Sequence, residues 1–420
     1  MIEHIANIVG VDAHIDPKNK QINAGRCGHR PLQLKMNSFI QTTIYGGNYM
    51  KVIIAAAQTG GHINPGIAIA NKIKKENRNA KIMFIGTTRG LENDLVPRAG
   101  FELKTIEAHG INRKISIQNI KNMFKTLKGF GEAKQIVKEF KPDIVIGTGG
   151  FICGPVLYAA TKLKIPTILH ESNAFPGIAT KVLSGRIDTV LLGFEDAKKR
   201  LAKAKNIVVT GTPTKINKVN LSEDQKEKMI KELGFDKNLP IVLVFGGSQG
   251  AKAINSTLID IIKNKVNTNY QIVWASGPKQ YSMIKDNLKE LKINIDKIKN
   301  VKIIPYIYNM EEMMNLADII ISRSGAMTIT EVAITAKPAI FIPFPFATEN
   351  HQEYNARVLV NAGAAKIILD KELNAERLSN TLNEMLKDKE KLLEMAQNAS
   401  KVAMQNVEEK IYEEIKKLVK

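Results

Sequence analysis

Four short glycine-rich segments each follow an apolar run and precede a helical pattern. They are Thr59-Gly60-Gly61-His62, Gly147-Thr148-Gly149-Gly150, Gly246-Gly247-Ser248-Gln249-Gly250 and Ser322-Arg323-Ser324-Gly325-Ala326. Glycines let a ligand approach the backbone closely, and the helix N-terminus that follows offers unpaired N–H groups to a phosphate. None has a Walker A ending or the Rossmann G-x-G-x-x-G spacing. The pattern predicts binding of a substrate with phosphates at its centre, although any one segment could be a packing turn.

His62 ends the first of these segments, close to the predicted start of a helix. Asn64 suits an N-cap and Pro65 the first helical position, so we expect the helix to begin there. Because the helix dipole disfavours a positive charge at this end, the imidazole should be neutral. A neutral imidazole can act as a general base or bind a hydroxyl, but it can equally hold the turn.

From Met50 onward the chain alternates apolar runs with helical patterns, in two series separated by a break at Gly211-Thr212-Pro213. The strand-like runs are 81–86, 103–108, 143–147, 166–170, 188–192 and 206–210, then 240–245, 271–275, 301–304, 318–322, 338–342 and 364–369. A polar helix is predicted at 222–233, and helices throughout the tail from about 375. This alternation predicts an α/β fold of two doubly wound parallel-sheet domains, with ligands in the cleft between them.

We expect three parts: an extension at 1–49 outside the fold, an N-terminal domain at 50–214 and a C-terminal domain at 215–420. Residues 1–49 show no sustained period of 2 or 3.6. Gly46-Gly47-Asn48-Tyr49-Met50 can be encoded by GGAGGN, two codons and ATG, which is a ribosome-binding site at working distance from a start codon. We hypothesise that Met50 is the true start; a genuine flexible extension is the alternative.

The formal charge of +20 narrows the possible partners. Nucleic acid, an anionic membrane and phosphorylated substrates all fit such a charge. The basic residues are mostly lysines spread along the chain, without an arginine-rich run or a zinc or RNA-binding signature, so nucleic acid is disfavoured. Cys27 and Cys153 match no metal or disulfide pattern. With no apolar run of roughly 18 to 20 residues and no signal-peptide core, we expect a cytoplasmic location.

Residues 114–130 form a basic amphipathic pattern. Ile120, Phe124 and Leu127 fall on one helical face, and Lys121 and Lys125 form a row beside it. Basic amphipathic helices bind membrane surfaces, so we expect contact with an anionic membrane. An ordinary helix packed on a sheet is the alternative.

The motifs TGGH-x-x-PG, GTGGF-x-x-GP, HESN, GTP, GGSQGA-x-x-x-N, SRSGA-x-T-x-x-E and HQ-x-x-NA occur in this order. Together they resemble the MurG family, from position 50 to about 418. The resemblance implies a two-domain GT-B fold and transfer of N-acetylglucosamine (GlcNAc) from UDP-GlcNAc to lipid I, undecaprenyl-diphosphoryl-MurNAc-pentapeptide, making lipid II. It also implies a peripheral enzyme on the cytoplasmic face of the bacterial membrane, where a hydrophobic patch with basic neighbours docks to anionic lipid.

The family motifs assign roles to individual positions. The resemblance implies that Thr59, Gly60 and Gly61 line the cleft, Asn173 and Gln352 contact the donor sugar, Ser248 meets the diphosphate, Ile307 packs near the uracil, and Ala326, Met327 and Thr328 start the helix that holds the nucleotide. Glu331 matches the residue on the ribose hydroxyls. Because Thr328 and Glu331 have capping-box spacing, Glu331 could instead cap its helix.

The implied reaction is inverting and uses neither metal nor cofactor. A general base takes the proton of the attacking MurNAc 4-hydroxyl; His62 ranks first and Glu171 second. Three alternatives stay open: a GT-B transferase acting on a diacylglycerol lipid, a UDP-GlcNAc epimerase, and a non-enzymatic basic binding protein.

Two positions depart from the family pattern. Ala57 and Gln58 stand where the first loop commonly has glycines, so their side chains must be accommodated or the loop path must change. Lys215 replaces an arginine that is common in the family. Lysine keeps the charge but loses the bidentate fork, so a phosphate contact there should be weaker or rearranged.

Overall fold

The computed structural model describes residues 13–15, 22–24, 49–109, 117–247 and 249–419; for 13–15, 22–24, 117–125, 127 and 296 it describes the backbone alone. Contacts divide the chain into two compact units, Met1–Tyr49 and Met50–Lys420. In the first unit, strands β1 (Ala13–Ile15) and β2 (Ile22–Ala24) pair antiparallel. The sequence predicted no element there, because three-residue strands are too short to establish a period of two.

A seven-stranded parallel sheet forms the first half of the second unit. Its strands are β3 (Lys51–Ala55), β4 (Lys81–Gly86), β5 (Glu102–Thr105), β6 (Ile144–Gly147), β7 (Thr167–Glu171), β8 (Thr189–Leu192) and β9 (Ile207–Val209). The spatial order is β5-β4-β3-β6-β7-β8-β9. The order reverses between β3 and β6, and ligands of doubly wound sheets bind beside such a switch point.

Helices cover both faces of this sheet. They are α1 (Gly60–Glu76), α2 (Glu92–Arg98), α3 (Ile117–Phe140), α4 (Cys153–Lys162) and α5 (Ile178–Leu183), with a 3-10 segment at Glu195–Arg200. The predicted start of α1 at Asn64-Pro65 is wrong. The N–H groups of His62 and Ile63 already donate to Thr59 O at 3.0 and 3.1 Å, which makes Thr59 the N-cap. Pro65 therefore lies in the second turn of the helix, where it has no N–H to donate to the carbonyl four residues earlier.

A six-stranded parallel sheet forms the second half. Its strands are β10 (Ile241–Phe245), β11 (Gln271–Ala275), β12 (Val301–Ile304), β13 (Ile319–Ser322), β14 (Ala339–Phe341) and β15 (Ala365–Ile367), in the order β12-β11-β10-β13-β14-β15. The switch point falls between β10 and β13. These two sheets confirm the predicted α/β fold with two doubly wound parallel sheets. The prediction was possible because strands buried on both faces are continuous apolar runs in sequence.

Nine helices are described after β9. They are α6 (Glu223–Leu233), α7 (Lys252–Lys263), α8 (Pro278–Glu290), α9 (Met310–Leu316), α10 (Ala326–Thr335), α11 (His351–Asn361), α12 (Ala375–Lys387), α13 (Lys389–Val402) and α14 (Val407–Leu418), with 3-10 turns at Ile295–Lys297, Thr348–Asn350 and Asp370–Glu372. The polar helix α6 begins as predicted, because Ser222 and Gln225 form a capping box.

The last helix returns to the first sheet. Ile411 and Ile415 of α14 are buried in one apolar cluster with Val52 and Ile54 of β3. Lys72 of α1 donates to Glu409 of α14 at 2.9 Å. The division at 214/215 stays a prediction, and α14 belongs by packing with the first sheet.

Candidate active site

The loop between β3 and α1 keeps a path that usually requires glycine. Gln58 has a φ of 77°, in the left-handed region. Its N–H donates to Glu92 Oε2 at 2.8 Å. The Glu92 carboxylate is fully buried and also accepts hydrogen bonds from the N–H of Thr87 at 2.9 Å and its hydroxyl at 2.7 Å. Gln58 therefore adopts a left-handed conformation at a position where the family commonly has glycine, and the hydrogen bond to the buried Glu92 holds it there.

The second glycine segment makes room for the ring of His62. Gly149 and Gly150 have φ values of 113° and 82°, and a Cβ added to Gly149 would stand 2.5 Å from His62 Cδ2. His62 Nδ1 lies 3.2 Å from Ala57 O and 3.4 Å from the hydroxyl of Thr59. Because a carbonyl only accepts, Nδ1 carries the proton that faces Ala57. In the neutral ring Nε2 is therefore the basic nitrogen.

His62 is neutral at physiological pH. Desolvation by burial lowers the pKa of its imidazole, and the nearby His351 lowers it further, against opposing effects of Glu171 and the Ala57 carbonyl. His351 begins α11, in the second half, whereas Glu171 ends β7 in the first. Groups from both sheets thus act on the charge of His62, and the net effect favours the neutral form that a general base needs.

Glu171, the second candidate base, has a fully engaged carboxylate. Oε1 accepts from the backbone N–H of Asn173 at 3.0 Å and from its side-chain amide at 2.9 Å. Oε2 accepts from Gly177 N at 2.9 Å and from the Thr180 hydroxyl at 2.6 Å. These four donors on a buried carboxylate favour a role in ordering the loop after β7, and they leave His62 as the better base.

The predicted sugar-contact residues come together across the two sheets. The Asn173 side-chain oxygen accepts from Asn355 Nδ2 of α11 at 3.1 Å. Gln352, one turn earlier on α11, accepts from Phe344 N through Oε1 at 3.0 Å, and its carbonyl accepts from the Ser324 hydroxyl at 2.8 Å. The bond from Phe344 N to Oε1 directs the Gln352 NH₂ group away from Phe344.

Glu331 lies in the second turn of α10, whose N-cap is Gly325. The capping-box interpretation of Thr328 and Glu331 is therefore wrong, because the helix begins two residues before Thr328. Glu331 Oε1 accepts from the Thr214 hydroxyl at 3.1 Å. Desolvation raises the pKa of Glu331 to about 7, opposed only by this hydrogen bond. A desolvated carboxyl group with a single hydrogen bond to offset its burial can accept further hydrogen bonds from the hydroxyl groups of a ligand.

The other predicted nucleotide-site residues lie at the start of α10 and after β12. Ala326 is buried and Met327 half-buried in the first turn of α10, and Thr328 is half-buried beside them. Ile307 is buried after β12, between the exposed Tyr306 and Tyr308.

The remaining predicted residues fall in four regions. Thr59 and Lys215 are exposed, and Gly60 and Gly61 form the first turn of α1. Ser248 lies outside the described residues, as do the side chains at 120, 121, 124, 125 and 127.

Among the described residues, no group of three or more His, Cys, Asp or Glu could hold a metal, and no helix is long and apolar enough to cross a membrane.

Family models match both halves of the chain. The glycosyltransferase family 28 N-terminal domain matches residues 52–192, and the family 28 C-terminal domain matches 241–411. A UDP-N-acetylglucosamine–N-acetylmuramyl-(pentapeptide) pyrophosphoryl-undecaprenol N-acetylglucosamine transferase of Acetivibrio thermocellus is 44% identical, covering 88% of this chain and 99% of that protein. One from Thermoanaerobacter sp. is 45% identical, covering 88% and 100%.

A solved structure agrees with these relatives. The crystal structure of MurG from Acinetobacter baumannii is 30% identical, with a TM-score of 0.68 and coverage of 88% of this chain and 99% of that one. The chain belongs to the MurG family. MurG has the GT-B architecture that the two doubly wound sheets form here. Six of the seven family motifs begin at the end of a strand or within four residues after it, whereas HQ-x-x-NA begins α11.

Two site features escaped the sequence analysis. The HQ-x-x-NA motif of the MurG family contains Asn355, but the motif alone did not indicate which groups its side chain would meet. Gly149 and Gly150 also form the surface against the His62 ring, a contact that the sequence analysis does not predict. The signal for both was present as a motif, but their partners lie too far along the chain to be inferred from spacing.

Proposed function

We propose that this chain transfers GlcNAc from UDP-GlcNAc to the 4-hydroxyl of the MurNAc unit of lipid I, producing lipid II and UDP. The observation that carries the proposal is 44–45% identity to transferases of that name over 99–100% of their length. The chain is accordingly a UDP-GlcNAc-dependent hexosyltransferase of peptidoglycan synthesis. The residues assigned below are our proposal for how the site performs this reaction.

The donor binds mainly to the second half of the protein. Glu331 accepts the ribose hydroxyls, in place of its bond from Thr214. Ile307 packs against the uracil, and the first turn of α10 from Ala326 to Thr328 presents N–H groups to the diphosphate, assisted by Ser248 and Lys215. The sugar lies between Gln352 and Asn173, which contribute amide groups from opposite sides of the cleft.

His62 acts as the general base. Its Nε2 takes the proton of the MurNAc 4-hydroxyl as that oxygen bonds to the anomeric carbon of GlcNAc from the face opposite UDP. The bond between the anomeric carbon and the UDP oxygen breaks, so UDP leaves with its electron pair and the configuration inverts. The N–H groups at the start of α10 stabilise the charge that develops on UDP. The acceptor diphosphate faces Thr59, Gly60 and Gly61.

The proposed membrane contact is the amphipathic pattern of α3, in which Ile120, Phe124 and Leu127 share one helical face beside Lys121 and Lys125, together with the basic and aromatic residues next to this helix. Phe130, near the middle of α3, packs edge-on against Tyr158 of α4 with ring centroids 5.5 Å apart. Lys162 and Arg186 lie over the Tyr158 ring at 5.4 and 5.8 Å. Val182 of α5, four residues before Arg186 in the sequence, has 63% of its surface exposed. Cations beside partly exposed aromatic rings suit an anionic lipid surface.

A panel of acceptors tests the proposal. Labelled UDP-GlcNAc is incubated with the protein and a short-chain lipid I analogue, with diacylglycerol, or with no acceptor. We expect label in the lipid I product alone. Transfer to diacylglycerol instead would favour the related glycolipid transferase, and conversion of UDP-GlcNAc without acceptor would favour an epimerase.

A further inference from the structure

Asn355 is a fully buried amide on α11 whose side chain has no group left for a ligand. Its Oδ1 accepts from Ala174 N at 2.8 Å. Its Nδ2 donates to Asn173 Oδ1 at 3.1 Å and to Ser324 O at 3.3 Å. Because an N–H must face an acceptor, the bond from Ala174 fixes the orientation of the amide. Both N–H groups of Nδ2 are then committed to Asn173 and Ser324.

These partners belong to loops of different sheets. Asn173 and Ala174 follow β7 of the first sheet, whereas Ser324 follows β13 of the second. Ser324 lies two residues before Ala326, the start of the helix proposed to hold the nucleotide, and its hydroxyl bonds to the carbonyl of Gln352. One buried side chain therefore connects the loop that carries Asn173 to the donor loop.

The Asn173 amide is held from both sides. Its Nδ2 donates to Glu171 Oε1 at 2.9 Å, and its Oδ1 accepts from Asn355 at 3.1 Å. An amide NH₂ has two donors, so one N–H of Asn173 remains for a sugar. The chain Glu171–Asn173–Asn355 fixes where that donor points.

We propose that Asn355 is a positioning residue for transfer: it holds Asn173 against the donor sugar and keeps the two loops in register, without touching the substrate itself. This rests on the proposed function, in which Asn173 contacts the GlcNAc. A positioning group of this kind affects the transition state more than the binding of the nucleotide.

Asn355→Asp tests this role. Aspartate has the same shape and keeps the acceptor for Ala174 N–H, but it replaces the donor with an oxygen that faces two other oxygens, on Asn173 and Ser324. We expect kcat to fall about tenfold or more, the effect of one misplaced hydrogen-bonding group, while the Kd for UDP changes by less than about threefold. UDP lacks the sugar and therefore reports the nucleotide site alone.

Glu349→Gln is the matched control on the same segment. Glu349 pairs with Lys181 across the same two halves at 2.7 Å. The substitution should remove the charge of this ion pair between the two halves and leave kcat within about twofold of the wild-type value. If Asn355→Asp keeps wild-type kcat, or if its UDP affinity and thermal stability fall in proportion to kcat, the positioning role is overturned.

Hydrogen exchange tests the same contact without substrate. Asn355→Ala removes the acceptor of Ala174 N–H, so this amide should exchange about tenfold faster or more, whereas Asn355→Asp should keep it protected. Unchanged exchange in Asn355→Ala would contradict the inference. A wild-type protein that fails to glycosylate lipid I would contradict the proposed function. The exchange measurement would still test the contact between Asn355 and Ala174, because it uses no substrate.

Discussion

The ring of His62 rests on the backbone of Gly149, so closely that a Cβ at position 149 would stand 2.5 Å from the ring carbon Cδ2. Residue 149 follows β6, and His62 lies in the first turn of α1 after the neighbouring strand β3. The first two glycine-rich segments are thus in contact, and the backbone of the second orients the ring of the proposed base in the first.

Gly149→Ala should impair catalysis through His62. The added methyl group displaces the ring, and the φ of 113° adds strain of about 1–3 kcal/mol in a non-glycine residue. We expect lower kcat and a lower melting temperature. Gly154→Ala in α4 is the matched control, because a Cβ there meets nothing within 4 Å, and it should leave kcat unchanged. Equal kcat for both variants would contradict the arrangement.

His62→Gln should lower kcat by roughly 10²–10⁴-fold while preserving the Kd for UDP, because glutamine can hold the turn but cannot take a proton. The wild-type pH profile provides a second check. Since burial lowers the pKa of His62, the base stays neutral below its ordinary value of 6.5, and kcat should decline only at more acidic pH. A variant with near-normal kcat would assign His62 to the turn alone.

Glu331 should make donor binding pH-dependent. Its pKa is raised to about 7, so the carboxylate is present above this pH and the neutral acid below it. Because the carboxylate is the better acceptor for ribose hydroxyls, the KM for UDP-GlcNAc should rise as pH falls through about 7. Glu331→Gln should raise KM and flatten this dependence, as measured by donor titrations across the range. A flat wild-type profile would exclude Glu331 from the ribose contact.

Turnover should withstand chelation. The proposed site stabilises the departing UDP with N–H groups at the start of α10 rather than with a divalent cation. Initial rates are measured with and without EDTA, and then after addition of Mg²⁺. Equal rates are expected throughout; a loss that Mg²⁺ restores would overturn the metal-free mechanism.

Replacing Phe124 and Leu127 of α3 together by serine should release the protein from anionic vesicles, because both contribute to the proposed apolar face. Activity on a soluble acceptor should be retained. Leu393→Ser is the control, because Leu393 is an apolar side chain of α13 that is 61% exposed and far along the chain from α3. Vesicle sedimentation measures the effect, and persistent binding by the double variant would favour a packed helix.

The fold was predictable wherever burial leaves a simple pattern. The predicted strands 271–275 and 301–304 match β11 and β12 residue for residue. All of β11 is buried, and parallel strands covered on both faces are apolar runs in sequence. The start of α1 was predicted wrongly because Asn64-Pro65 is a strong local signal, whereas the actual start depends on the N–H groups that bond to Thr59.

The site was predictable as a set of residues but not as a set of contacts. Glu171 and His62 were both plausible bases by residue type, and only the four donors around Glu171 separate them. Asn355 meets Asn173, 182 positions away, through a bond that no local period encodes. Tertiary packing decides such contacts.

The most direct measurement of the central claim is product analysis after incubation of the protein with UDP-GlcNAc and a short-chain lipid I analogue. The account predicts one UDP released for each lipid-linked GlcNAc, joined to the MurNAc 4-hydroxyl with inverted configuration. UDP release without lipid-linked sugar, or a product with retained configuration, would contradict it.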